Sequence, residues 1–125
     1  MNSEFTVTSE QKQADVPVTV LHIGGWLDAQ SEEQLIEAAR EAHDAGSRYL
    51  LIEMSSLDTL TSAGMRALQK VYQLYLVKDE SPRQIRLRLC SAPPQIHNVL
   101  EITGFLQNIP MYKGPEEAID SFGKE

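Results

Sequence analysis

Runs of strand length alternate with stretches of helical period along nearly the whole of this 125-residue chain, and that order constrains the fold more than any other feature. Phe5 to Ser9 is short and β-prone, and Val18 to Ile23 resumes after a polar stretch containing Pro17, which predicts an opening hairpin. Ser31 is a suitable helix N-cap, Glu32 and Glu33 follow in the first turn, and Leu35, Ala38, Ala39 and Ala42 form an apolar stripe that Gly46 closes. Tyr49 to Met54 is the next strand, and Met65, Leu68, Val71, Tyr72 and Tyr75 mark the next helix. The second half repeats the order. Ile85, Leu87 and Leu89 alternate with Arg86 and Arg88, predicting a strand with one buried and one solvated face. Pro93 and Pro94 open a helix that Gly104 stops, Ile109 to Tyr112 is a short strand, and Pro115 starts a last helix carrying Ala118, Ile119 and Phe122. Such an order implies an α/β sheet of largely parallel strands with right-handed crossovers.

Charge and chemistry narrow the function classes. Eighteen acids against eleven Lys and Arg give a net charge of −7, the wrong sign for a protein that grips a phosphate backbone, so nucleic acid is not an expected partner. No stretch approaches the apolar length of a membrane span, and the start, Met1 to Glu10, has neither the basic nor the apolar region of a secretory signal. Cys90 is the only cysteine and reads as a small buried apolar residue, which fits a reducing, cytoplasmic location. His22, His43 and His97 lie far apart and read as exposed or core histidines rather than metal ligands. Gly24-Gly25 lacks the remaining residues of a phosphate-cradling loop, and Ser62 lacks the preceding glycine of a nucleophile elbow. The acids Glu32, Glu33, Glu37, Glu41 and Asp44 read as a solvated helix face. No catalytic residues, metal or cofactor are expected.

The segment Ser55 to Gly64 is unusual, with five hydroxyl residues in ten positions before a strongly patterned helix. Thr61 or Ser62 would cap that helix, a task that needs one hydroxyl. If the strand ending near Gly25 and the strand Tyr49 to Met54 flank the helix Ser31 to Ala45 as a βαβ unit, their carboxyl ends share one sheet edge. The loops Trp26 to Gln30 and Ser55 to Ser62 would then form one surface where open α/β sheets carry function, with Asp28 and Ser62 as neighbours. Trp26 in that turn reads either as a contact anchor or as a shield for the end of the sheet.

Gly25-Trp26-Leu27-Asp28, then a helix of about four turns, an apolar strand and Leu60-Thr61-Ser62-Ala63-Gly64-Met65 resemble the STAS domain of bacterial anti-sigma-factor antagonists. Cys90-Ser91-Ala92-Pro93 through Ile102-Thr103-Gly104-Phe105 resembles the last third of that family, and the likeness runs from Phe5 to Phe122. Thr61 stands where the family has Asp, and Ala63 where it has a second Ser. The resemblance implies a single domain over residues 1–125, with its core at about 5–122 and a mixed, mostly parallel β-sheet, about four α-helices and an N-terminal hairpin.

It also implies partner switching without enzymatic activity. The unphosphorylated antagonist binds an anti-sigma factor that is also a serine kinase of the histidine-kinase ATPase fold; phosphorylation from ATP ends the interaction, and a serine phosphatase restores it. The phosphate falls on Ser62, with Thr61 the alternative acceptor, and Trp26, Asp28, Thr59, Thr61, Ser62 and Gly64 form the partner-facing surface. Two alternatives stand beside this: an unphosphorylated STAS scaffold in a sensory or transporter-associated assembly, and a small-ligand-binding domain at the same sheet edge.

Overall fold

The structure, a computed structural model, describes residues 4–77 and 84–122. The hairpin forms as expected: β1 (Thr6–Gln13) pairs antiparallel with β2 (Pro17–Leu27). From β2 the chain enters α1 (Glu32–Asp44), returns through β3 (Leu50–Leu60), which lies parallel to β2, and passes into α2 (Ser62–Tyr75). A short antiparallel ribbon, β4 (Leu76–Val77) with β5 (Gln84–Ile85), precedes β6 (Leu87–Cys90), α3 (Pro94–Ile102), a 3₁₀ turn (Phe105–Gln107), β7 (Met111–Tyr112) and α4 (Pro115–Ser121). The main sheet runs β1-β2-β3-β6-β7, parallel throughout except for the opening hairpin. This is the mixed α/β architecture that the alternating pattern predicts.

Period two in the strands sorts the core onto two faces. Leu21, Ile23, Leu50, Ile52, Met54, Leu87 and Leu89 point toward α1, α2 and α3, where Leu35, Ala39, Leu68, Val71, Ile96 and Leu100 meet them. Val18, Val20, Leu51 and Cys90 point the other way and are covered by Ala118 and Phe122 of α4. Cys90 is fully buried, and burial pushes its thiol up to about 11, so it behaves as the small apolar residue expected.

Several elements depart from the sequence expectation. β1 runs on to Gln13 instead of ending at Ser9, because an edge strand exposed on both faces accepts polar residues as long as β2 supplies its hydrogen bonds. β3 continues through Ser55 to Leu60, a segment that reads as loop from its polar residues; its backbone pairs with Gly24 to Leu27. The strand expected over Ile85 to Cys90 is interrupted at Arg86, whose N–H is donated to the Tyr75 carbonyl and whose own carbonyl accepts from Leu50; the Ile85 side chain lies outside the described residues. Only Met111 and Tyr112 of the expected Ile109 to Tyr112 strand pair with β6.

Arg88 was expected on a wet face and is instead buried. α4 covers that face, the Arg88 Nε–H is donated to Ser121 Oγ at 3.1 Å, and the guanidinium stacks 4.6 Å above the Phe122 ring. Arg86 lies in the same way over the Tyr49 ring at 5.0 Å. His22, read as an isolated histidine, is held between two carboxylates. Its Nε2 is 2.8 Å from Glu10 Oε1 on β1 and its Nδ1 is 2.9 Å from Glu53 Oε1 on β3. Both ring nitrogens can donate only in the imidazolium form, and the hydrogen bonds to Glu10 and then Glu53 raise the pKa of His22 above its ordinary value.

Candidate partner-binding site

β2 and β3 end together, with Trp26 beside Thr59 and Leu27 beside Leu60, so the turn into α1 and the start of α2 leave the sheet side by side. Gly25 permits the approach to that edge: its φ is +80°, and a Cβ there would lie 2.1 Å from the Glu4 carbonyl oxygen. Gly64 does the same for α2. It is buried, and a Cβ on it would sit 2.3 Å from the Leu27 carbonyl oxygen, so only glycine lets the first turn of α2 lie on the end of β2.

The β2–α1 turn closes on itself. Asp28 Oδ1 accepts from the backbone N–H of Gln30 at 3.0 Å and of Ser31 at 3.2 Å. The Ser31 hydroxyl donates to the Trp26 carbonyl at 2.8 Å and accepts from the Asp28 N–H at 3.0 Å. Ser31 occupies the N-cap position of α1, as its place in the sequence predicts, but its side chain makes no capping bond because it is committed to this turn. Trp26 is exposed, and its indole N–H is donated to Asp58 Oδ2 at 3.2 Å, which fixes the ring at the rim of the edge.

The β3–α2 junction distributes its two hydroxyls differently. Thr61 takes the cap: its Oγ1 accepts from the Gly64 N–H at 3.3 Å and donates to the Leu27 carbonyl at 3.4 Å, while its own N–H is donated to that same carbonyl at 3.1 Å. Ser62, the first residue of α2, is exposed and takes no part in the cap. It sits among the free N–H groups of the first helical turn, where an anion is favoured.

The edge carries two hollows. Trp26, Asp28, Thr61 and Ala63 line one hollow together with Phe5. Ser62 opens onto an adjacent groove of about 460 Å³, lined by Met65, Arg66, Gln69, Tyr72 and Phe105. The expected single surface is therefore two adjoining concavities, with Asp28 in one and Ser62 in the other. Thr59, half-buried beside Trp26, and Gly64, buried against the Leu27 carbonyl, line neither of them.

Glu32, read as part of a solvated acidic face, is buried against α2: Arg66 Nε and Nη2 grip its two carboxylate oxygens at 2.8 and 3.0 Å, and Lys70 Nζ stands 3.8 Å away. The Arg66 fork holds the Glu32 carboxyl below the ordinary range and raises the pKa of Arg66. The partners are 34 residues apart, so no local spacing reveals them.

The model of the STAS domain family matches residues 9–118. A putative anti-sigma factor antagonist, BtrV of Bordetella bronchiseptica, is 31% identical over 98 residues, 78% of this chain and 80% of that protein. Among solved structures, an anti-sigma factor antagonist from Mycobacterium paratuberculosis superposes with a TM-score of 0.73 at 20% identity, over 91% of this chain and 92% of that one. The Bacillus cell fate determinant SpoIIAA in its phosphorylated form gives 0.62 at 18% identity, over 90% and 97%. At these identities the two superpositions establish the shared fold.

Proposed function

The chain belongs to the STAS domain family, and from that premise we propose that it is a cytoplasmic, non-enzymatic anti-sigma-factor antagonist that works by partner switching through Ser62. Its partner in this reading is an anti-sigma factor that is also a serine kinase of the histidine-kinase ATPase fold. The unmodified protein binds that partner through Trp26, Asp28, Thr59 and Thr61 around Ser62, with Gly64 setting the shape beneath. The kinase moves the γ-phosphoryl group of ATP onto Ser62 Oγ, breaking the β–γ phosphoanhydride bond and releasing ADP and the hydroxyl proton, and the complex parts; a serine phosphatase then hydrolyses the phosphoester with water, releases inorganic phosphate and restores binding.

The observation that carries this reading is the division of labour between Thr61 and Ser62. Thr61 supplies the cap, so Ser62 presents a spare, exposed hydroxyl at the first position of α2. Phosphorylation there adds about −1.5 to −2 charges at neutral pH, in a place where the helix dipole and free N–H groups accommodate an anion. The fold is retained while the face offered to the partner changes in charge and shape. The relatives named as anti-sigma factor antagonists, and SpoIIAA in its phosphorylated form, support the assignment.

Incubation with the cognate kinase and ATP, followed by mass spectrometry, tests it directly. One phosphate on Ser62, none on Ser62→Ala, and weakened kinase binding by Ser62→Asp are the expected results. Absence of phosphate from residues 55 to 62, together with undiminished binding by Ser62→Asp, would overturn the reading in favour of an unphosphorylated scaffold.

A further inference from the structure

Resting on the reading of Ser62 as the phosphorylated residue, we propose that Arg66 is the phosphate-binding residue of the modified protein, and that it leaves Glu32 to take up that role while Lys70 replaces it on Glu32. Arg66 follows Ser62 by four positions on α2, so the two side chains are neighbours on one helix face. Helical side chains lean toward the N-terminus, which brings the guanidinium back over the turn that Ser62 begins. Both residues line the same groove, and Arg66 is the only charged side chain among the described residues that line it.

In the unmodified protein Arg66 is occupied by the bidentate fork with Glu32, yet its own side chain remains more than half exposed. A phosphate at Ser62 competes on favourable terms. It brings nearly twice the charge of a carboxylate and three acceptor oxygens that match the guanidinium fork, and it belongs to the same helix. Glu32 is buried and cannot be left without a cation at little cost. Lys70 already stands 3.8 Å from its Oε2, one further turn along α2, and closes on it when Arg66 departs. The exchange replaces a two-pronged tie between α1 and α2 by a single ammonium contact. Glu32 opens α1 directly after the Asp28 turn, so a phosphate in one concavity is felt at the base of the other.

The test places phosphoserine at position 62 during translation, so that it needs no kinase. Phosphorus NMR then follows titration of the phosphate in the parent protein, in Arg66→Gln and in Glu32→Gln. With Arg66 present the second phosphate pKa should lie a few tenths of a unit or more below its value in Arg66→Gln, and Glu32→Gln, which removes the competitor, should lower it further. The Arg66 Nε–H resonance should move on phosphorylation, and the Glu32 carboxyl should titrate at higher pH than in the unmodified protein. Superimposable phosphate titrations in all three proteins, with an unmoved Arg66 Nε–H, would overturn the proposal. Absence of phosphate from residues 55 to 62 with undiminished binding by Ser62→Asp in the separate assay would sink the functional reading and leave this result standing, so the two failures are told apart.

Discussion

The β2–α1 turn and the β3–α2 junction leave neighbouring strands at the same sheet edge, yet they use their polar side chains in opposite ways. In the turn, Asp28 and Ser31 engage each other and the backbone on every side. In the junction, two adjacent hydroxyls part company: Thr61 is spent on the cap and on Leu27, and Ser62 is left over. Availability for modification is thus a property of what the backbone has already used, and chemically similar residues one position apart differ completely in it. The closed turn and the capping threonine use their own polar groups to hold the edge in shape, so under the proposed switch a charge added at the spare serine would displace none of those bonds.

The strongest way to break the comparison is to separate the two regions. Gly64→Ala drives a methyl group into the Leu27 carbonyl and toward Leu60 Cδ1, at 2.3 and 2.7 Å, and the first of these is backbone that cannot step aside. We expect a loss of about 3 kcal/mol in urea unfolding, at the upper end of what overpacking costs. A loss below ~1 kcal/mol would mean that α2 can slide off β2 and that the edge is not a rigid unit. Next in size is Asp28→Ala, which strips the Gln30 N–H of its acceptor and leaves the Ser31 N–H only the backbone carbonyl of residue 28, and it should cost about 1–2 kcal/mol. Thr61→Ala should cost about 1 kcal/mol, and Thr61→Asp should recover the cap, since Asp serves at least as well as Thr in that position.

Much of this edge was legible in the sequence because its signals are local. Ser31 and Thr61 stand at N-cap positions, Gly46 and Gly104 adopt positive φ at the helix ends, and Pro94 and Pro115 open their helices. What the sequence hid is set by pairing across the fold. The polar end of β3 is a strand only because β2 lies against it, and Arg88 is buried only because α4 returns to cover its face with Ser121 and Phe122. Glu32 looks like its solvated neighbours Glu33 and Glu37 until α2 brings Arg66 to it. The bonds from Thr61 to the Leu27 carbonyl, 34 residues away, are likewise announced by no spacing.

A change of pH probes the sheet that carries the edge rather than the edge itself. Hydrogen bonds to Glu10 and Glu53 raise the pKa of His22 above 6.5, so its stabilisation is complete below that value and fades as pH rises through the folded pKa. The His22 contact lowers the pKa of Glu10 below 4.5. For Glu53, burial acts upward, but the hydrogen bonds from Ser55 and His22 outweigh it, and the net direction is again below 4.5. These two contributions are present above 4.5 and are lost as pH falls through the depressed values. The cluster is therefore most stabilising between about 4.5 and 6.5. Melting temperature should decline modestly as pH rises from that window toward about 8, and His22→Gln should flatten the decline. Because the cluster lies on β1, β2 and β3 away from the turn and the junction, Asp28→Ala and Thr61→Ala should keep the same slope.

The smallest expected effect is the sharpest test of the comparison. Ser62→Ala removes a hydroxyl that caps nothing and faces solvent, and alanine is the better helix former, so stability should stay within about 0.5 kcal/mol of the parent in the same urea experiment. Set against the loss of ~1 kcal/mol for Thr61→Ala, this separates a hydroxyl that the fold uses from one that it leaves open. If Ser62→Ala were instead as costly as Thr61→Ala, the serine would be part of the closed framework. A phosphate on it would then have to break structure to form, and the proposed switch would be an unfolding of the first turn of α2 rather than a change in the face that an intact edge presents.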